Sequence, residues 1–449
     1  HPERRELILK CDNAWGGDDA TYMNVIDDNG LKRLYYGVYR SPWCPGGKLE
    51  TNYECYAEST DGIHWETPEL GLIEFNGSKR NNIVWTDVDG FRVIRDTNPK
   101  CKSEEKYKAL LDVADGHKRR LCLFTSPDGL KWEKRHLLNI VDETSFDSMN
   151  TLLYNERTGL YECFMRGFHM TRDPQSRHMI RGICMSTSED LIHWSYPVHL
   201  QYDPFFDWQM YTNGIMHYYR AEHIYVGFPT RYVERKNGWT TNYDELCGRE
   251  KRLERLKDPQ PRIATAVTDA VFMTSRNGLN WSRFGDAFLR PGPEYPNNWV
   301  YGSVYLSSGM VETPSTHPGC EPEISMYSAE NRWSGEPAAI YRYSIRRDGF
   351  ASQFGSWRGA RMYTRPFILR GRELRINFAT SAAGAVKIRM IKADGSDLDA
   401  DTMDTDEMFG DSTERRVHFT TGEIDKFIGQ PVVLRFDLWD ADVYSFKFS

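Results

Sequence analysis

No apolar run in this chain of 449 residues approaches the roughly 18 that a membrane span needs, so a chain without membrane spans, soluble in its mature form, is expected. Basic charge is short as well. Lys and Arg number 57 against 64 Asp and Glu, a net charge of -7, which excludes the basic face of a nucleic-acid binder. Cysteine is thinly scattered: nine residues, with no C-x-x-C and no Cys/His pair at zinc spacing, argue against a structural zinc and against a disulfide framework. Cys122 in Arg-Leu-Cys-Leu-Phe and Cys184 in Gly-Ile-Cys-Met-Ser read as small buried hydrophobes. Long helical periodicity is missing; the charged stretch 244–256, with its scattered leucines, is the best helix candidate. There is no Walker loop, no G-x-S-x-G and no dinucleotide fingerprint ahead of a helix. The 12 His form no cluster, so chemistry without cofactor or metal is the expectation, a calcium among carboxylates being the open exception. Oligomeric state and compartment stay open.

What the chain does have is aromatic residues, 13 Trp, 25 Tyr and 22 Phe, in an otherwise polar composition. Many all-β proteins that handle carbohydrate read this way. Four segments repeat one pattern: Ser59-Thr-Asp61-Gly62-Ile-His-Trp65, Ser126-Pro-Asp128-Gly129-Leu-Lys-Trp132, Ser188-Glu-Asp190-Leu191-Ile-His-Trp194 and Ser275-Arg-Asn277-Gly278-Leu-Asn-Trp281. Each predicts a strand, a tight turn and a second strand, with Gly supplying the turn in three copies. The Trp-to-Trp spacings are 67, 62 and 87 residues. Two strand-like runs precede each copy: 21–26 and 33–39, 91–95 and 107–113, 149–154 and 161–166, 211–216 and 223–228. A fifth group lies at 299–306, 323–328 and 339–345. Repeated groups of three or four antiparallel strands predict a five-bladed β-propeller over 1–345, the catalytic domain on this reading. From about residue 346 aromatics thin out and short alternating strands at 375–378, 386–391, 416–420 and 432–438, with a hairpin signal at Asp394-Gly395, predict a β-sandwich over 346–449.

In a propeller the starts of the innermost strands converge on the central funnel, so acids there are the candidates for chemistry. Lining up the repeats places Asp19, Asp87 or Asp89, Asp147 and Asp207 at equivalent positions, with Asn297-Asn298 in the fifth. Convergent carboxylates repel one another, which raises one pKa and yields a general acid. Asp19 and Asp89 also sit beside turn glycines. Asp96 lines up with Asp27 and Asn155 in the hairpin after the inner strand, which should face away from the funnel; Asp61, Asp128 and Asp190 belong to the turns. Arg166, in Tyr161-Glu-Cys-Phe-Met-Arg166, can orient a carboxylate or bind an acidic sugar. Glu323 is the acid best placed in the fifth group, as an acid or hydroxyl binder. Trp15, Trp43, Trp208, Trp299 and Tyr211 are candidate sugar platforms or core residues.

At this point the chain resembles the five-bladed β-propeller glycoside hydrolases, the group of invertases, levanases and arabinanases. The invertase-type opening Trp-Met-Asn-Asp-Pro-Asn is absent. The Arg-Asp-Pro string has the echo Arg95-Asp96-Thr97-Asn98-Pro99, which keeps Asp96 a candidate, and Glu-Cys-Pro has Glu162-Cys163-Phe164. In Asp147-Ser-Met-Asn150, Asp348-Gly-Phe350 and 440–446 the chain looks like bacterial proteins of the same architecture. The invertase and levanase branch also carries a C-terminal β-sandwich. The resemblance implies a carbohydrate partner and hydrolysis by paired carboxylates: Asp19 as base or nucleophile, Asp147 as general acid, Asp89 and Asp207 stabilising the transition state. Retention or inversion would follow from the separation of the carboxyl groups. Two other readings stand beside it, a non-catalytic carbohydrate-binding propeller and a lyase acting on uronic acids.

Overall fold

The computed structural model describes residues 1–48, 51–141, 146–172, 179–235, 245–257, 262–393 and 402–449. It divides into two compact units, His1–Thr313 with Ser325–Ser344, and Pro314–Ile324 with Ile345–Ser449. Nearly all regular structure is β, in a propeller arrangement of sheets in the first unit. The helix Arg249–Arg255 falls within the helical candidate, whose first residue, Asp244, lies outside the described residues. No helix among the described residues is long and apolar enough to cross a membrane.

Four sheets, lying largely in the first unit, are blades of four strands, antiparallel throughout in the first three. They are Asp19–Asp28, Leu31–Tyr39, Tyr53–Ser59 and Ile83–Thr86; Arg92–Arg95, Tyr107–Asp115, Lys118–Ser126 and Glu133–Leu137; Thr151–Asn155, Leu160–Met170, Met179–Ser188 and Val198–His199; and Val311–Thr313, Glu323–Glu330, Ala339–Arg346 and Glu3–Lys10. In the last, the N-terminal strand pairs antiparallel with Ala339–Arg346, so both ends of the unit share one sheet. The expected five like blades are thus corrected to four of this form. The fourth repeat, which has the longest spacing, builds a sheet of seven strands, in which Gln201–Asp203 runs parallel to Asn280–Leu289.

The repeated turn explains itself. Asp61 Oδ1 accepts from the backbone N–H of Ile63 and His64, both at 2.8 Å, and Ser59 Oγ accepts from Gly62 N at 2.8 Å. Asp128, Asp190 and Asn277 repeat the pattern. The residue after the acid is left-handed in all four, φ 75° at Gly62, 77° at Gly129, 67° at Leu191 and 74° at Gly278; only glycine reaches that region without penalty, so Leu191 is the strained copy. Each turn packs on the neighbouring sheet. Tyr327 donates to the Gly62 carbonyl at 2.7 Å, Tyr35 to that of Gly129 at 3.0 Å, and His136 to that of Leu191 at 3.0 Å. The first turn therefore meets the sheet that holds the unit's last strand, and the succession closes on itself.

Two inner-edge expectations are shifted. The fourth inner strand is Met216–Tyr218, not 211–216: Asn213 donates its side-chain amide to the carbonyls of Met149, at 2.8 Å, and Phe164, and Gly214 is left-handed at φ 53°, which breaks extended pairing there. In the fifth group 299–306 is irregular and the edge strand is Val311–Thr313, because Trp299 and Gly302 both have positive φ.

The second unit is a seven-stranded sheet with antiparallel pairing throughout, built on Leu374–Lys392 and Pro431–Phe448. The runs 375–378 and 386–391 belong to one long strand, interrupted in register between Thr380 and Ala385. Side chains alternate along it, with Ile376, Phe378, Val386, Ile388 and Met390 on a core shared with Leu434, Phe436 and Leu438. The hairpin signal at Asp394-Gly395 lies outside the described residues. All nine cysteines are free thiols and six of them are buried.

Candidate functional site

In each antiparallel blade the start of the inner strand, the end of the second and the start of the third return to the same mouth. The mouth is floored by a buried aromatic cluster, Tyr22, Tyr211, Tyr232, Tyr301 and Tyr305, flanked by Trp43 and Trp333. Tyr22 is held at φ 51° where the register slips between Thr21 and Asn24, a strained conformation for an aromatic residue. The hydroxyls of Tyr211 and Tyr301 are hydrogen-bonded to each other at 2.7 Å.

Around this floor stand five acids. Asp19 is buried, paired with Arg332 Nε at 2.6 Å and accepting from Trp333 Nε1 at 2.9 Å. Burial pushes its carboxyl up to about 6, against Arg332, with the charge of Asp18 adding to the rise. Asp89 is raised by burial and then by the charge of Asp147, with Arg119, Arg166 and a long hydrogen bond from Tyr39 opposing. Asp147 is half exposed and takes Arg166 Nη1 at 2.8 Å. Asp112, on the second strand of its blade, is pushed up to about 6 by burial, against Arg119 Nε at 2.6 Å and with Asp89 and Asp147 adding. Glu54, on a third strand, is held well above the usual range by burial alone, and its Oε1 has no hydrogen-bond partner among the described residues. Tyr39 feels Asp89, Glu54 and Asp19 at once, and Tyr22 feels Asp89, Tyr211, Tyr301 and Arg166. These side chains share one neighbourhood, drawn from residues hundreds apart in sequence.

The candidates from sequence divide accordingly. Asp19, Asp89, Asp147, Arg166 and Tyr211 come together here; Arg166 Nη2 also donates to the Tyr211 carbonyl at 2.8 Å. Asp207 stands apart. It is exposed and accepts from Thr171 and, at 3.0 Å, from Arg172 N, because its inner strand starts nine residues later, at Met216. Trp208 stacks on Phe206 at 4.4 Å and lies under Arg231 and Arg283, part of a core between sheets. Trp299 donates to the Gly292 carbonyl, and Trp15 to Asn82, packed on Phe75. Asp96 is buried and fully engaged by Lys108 at 2.5 Å, Tyr161 at 2.8 Å and Asn98 N at 2.9 Å. Glu323 accepts from Ser315 and Thr316 within the segment Pro314–Ile324 that clusters with the second unit.

Glu54, Asp112, Arg119, Arg332 and Trp333 were not singled out from sequence. The parity of antiparallel strands could have found the first three, since an acid near the end of a second strand or the start of a third lies at the same mouth as an inner-strand start. Among the described residues no group of three or more His, Cys, Asp or Glu is arranged to hold a metal ion.

No protein-family model and no curated protein sequence matches the chain. Solved structures do. An N-acetylgalactosamine deacetylase from F. plautii, solved with blood group B trisaccharide, aligns at 13% identity and TM-score 0.48 over 77% of this chain and 95% of that one. A glycosyl hydrolase from Bacteroides ovatus aligns at 15% identity and TM-score 0.46 over 77% and 94%. A beta-fructofuranosidase from Schwanniomyces occidentalis, complexed with fructosyl-erythritol, aligns at 10% identity and TM-score 0.42 over 99% and 96%. At these identities no residue role is carried over from them.

Proposed function

We propose that this chain is a glycoside hydrolase whose active site is the acid-lined mouth of the first unit, with a carbohydrate chain as substrate. The carrying observation is the unequal pair Asp89 and Asp147: Asp89 is raised by burial and by its neighbour's charge, while Asp147 is half exposed and takes Arg166 Nη1 at 2.8 Å. Glycoside hydrolysis uses one carboxyl of each kind. On this reading Asp89 is the general acid and Asp147 the base or nucleophile, which moves the acid role away from Asp147. Asp19, locked by Arg332 and Trp333, is a positioning and hydroxyl-binding residue, and Asp112 with Arg119 tunes the pair. Because Arg166 already serves Asp147 and the Tyr211 carbonyl, little of it is left for the acidic sugar that the lyase reading needs. The proposal also takes the seven-stranded sheet as a fifth, enlarged blade, 1–345 as the catalytic domain, and 346–449 as a β-sandwich.

The test is sugar release, followed by chromatography, from plant and algal polysaccharides and synthetic glycosides. The wild type is expected to release product, and Asp89→Asn to lose about 10²–10⁴ in rate, the usual share of a general acid. Binding of a glycan with no product in any fraction would favour the non-catalytic propeller, and an unsaturated product absorbing in the ultraviolet would favour the lyase.

A further inference from the structure

The inner strands end around a cavity of about 620 Å³ at the mouth opposite the acids, lined by residues 24–27, 92–95, 153–157, 216–217 and 309–312 among others. One of its walls is Arg92, 3% exposed, on the inner strand Arg92–Arg95. The buried arginines of the acid-lined mouth, Arg166 and Arg332, each pair with a carboxylate. Among the described residues Arg92 has none: its polar contact is the thioether of Met149 at 3.6 Å, and its buried Nε has no partner there. Among the described residues no carboxylate is paired with it. Burial alone acts on the guanidinium, pushing it down to about 9, so at neutral pH it carries a full charge. An uncompensated buried cation is strongly unfavourable, and native proteins hold such charges only with a partner.

A second polar group in the same layer also lacks a partner. Asn24 ties two inner segments together, accepting from Val93 N at 2.9 Å and donating to the Ser308 carbonyl at 3.3 Å. The Ser308 hydroxyl is buried and has no hydrogen-bond partner among the described residues. The acids that line the outer cavity, Asp27, Glu156, Glu222 and Glu312, are residues of the strand ends and hairpins. Asp27 and Glu312 are within ion-pair distance of Lys32 and Arg220.

We infer that the first unit binds a small monovalent inorganic anion, of the halide class, inside its central channel against the Arg92 guanidinium. One guanidinium neutralises one negative charge, and a polarisable halide suits a wall that includes a thioether. A divalent phosphate carries a second negative charge, which the single Arg92 guanidinium would leave unmatched.

Crystals grown without halide and soaked in sodium bromide test this directly. An anomalous bromide peak within hydrogen-bonding reach of the Arg92 guanidinium is expected; a channel without one overturns the inference. In solution, chloride or bromide at constant ionic strength, set against sodium gluconate, should raise the wild-type Tm by about 2–4 °C and saturate. Arg92→Met, which keeps the length of the side chain and removes its charge, should show no such rise. Equal rises in both proteins overturn the inference. Should Arg92→Met fail to fold, the bromide peak in the wild type decides alone.

Discussion

The turns and the mouth use the same residue, aspartate, to opposite ends. At Asp61 burial works against ionisation, but hydrogen bonds from the His64 ring and backbone, Ile63 N and Ser59 outweigh it and hold the carboxyl below the usual range. At Asp190 the His193 ring leads and the result is the same. At Asp19, Asp89 and Asp112 burial comes first and the donors are too few to reverse it. A carboxylate surrounded by N–H groups is a fixed structural anion; one facing aromatic walls and other acids keeps a proton within reach of neutral pH. Sequence spacing makes the two kinds look alike, and the number of donors tells them apart.

The largest effect that can break this contrast is on catalysis. Asp89→Asn should lower kcat by about 10²–10⁴, whereas Asp128→Asn, in a turn, should leave it unchanged because an amide there still accepts from Leu130 N and Lys131 N. Equal losses measured on one glycan substrate would erase the distinction. Next is the clamp on Asp19. Arg332→Met leaves a buried carboxylate without its cation and should cost about 3–5 kcal/mol in urea unfolding at neutral pH. Asp19 sits at about 6, so lowering the pH below 5 should recover part of that loss by protonating it.

The fold was legible in sequence where a local rule acts. An Asp or Asn, usually followed by Gly and then by Trp, marks each turn because the chemistry is local, and strand alternation marks the blades. The same rules misplaced the inner edges at 211–216 and 299–306, where Asn213, Gly214, Trp299 and Gly302 answer to distant carbonyls or adopt positive φ. The sheet of seven strands escaped because its three extra strands, Gln201–Asp203, Gln209–Met210 and Thr230–Glu234, are too short to read as periodic. Of the side chains gathered at the mouth, Asp19, Asp89 and Asp147 stood out by repeat position, and Arg166 as a basic residue on the second strand of the third group. Arg332 and Trp333 did not, since they meet Asp19 across more than 300 residues, and Asp207 lies apart from the other acids because its place depended on a strand start that shifted.

A smaller effect probes the turns themselves. Asp61→Ala removes the acceptor of Ile63 N and His64 N and should cost about 1 kcal/mol, by analogy with loss of a helix cap. Asp61→Asn should cost less, because Asn277 makes the same two backbone bonds in the fourth copy. Urea midpoints with an unchanged slope would read both values. If the amide costs as much as alanine, the charge of the turn acid matters more than its geometry.

The smallest effect is a slope. Asp112 rises from 3.8 to about 6 on folding, so between those values the folded chain holds more protons than the unfolded one. Its contribution to stability is therefore lost as pH rises through that window, the reverse of the turn acids, whose contribution is lost as pH falls. A single group gives at most about 1.4 kcal/mol per pH unit, and the half-exposed side chain of Arg119 brings solvent close enough to screen it below that. Asp112→Asn removes this group alone. Unfolding free energies at pH 4, 5 and 6 should fall less steeply, or rise more, in the variant than in the wild type. Identical slopes would mean that Asp112 ionises in the folded chain as it does in the unfolded one, and the mouth would then owe its raised acids to Asp19, Asp89 and Glu54 alone.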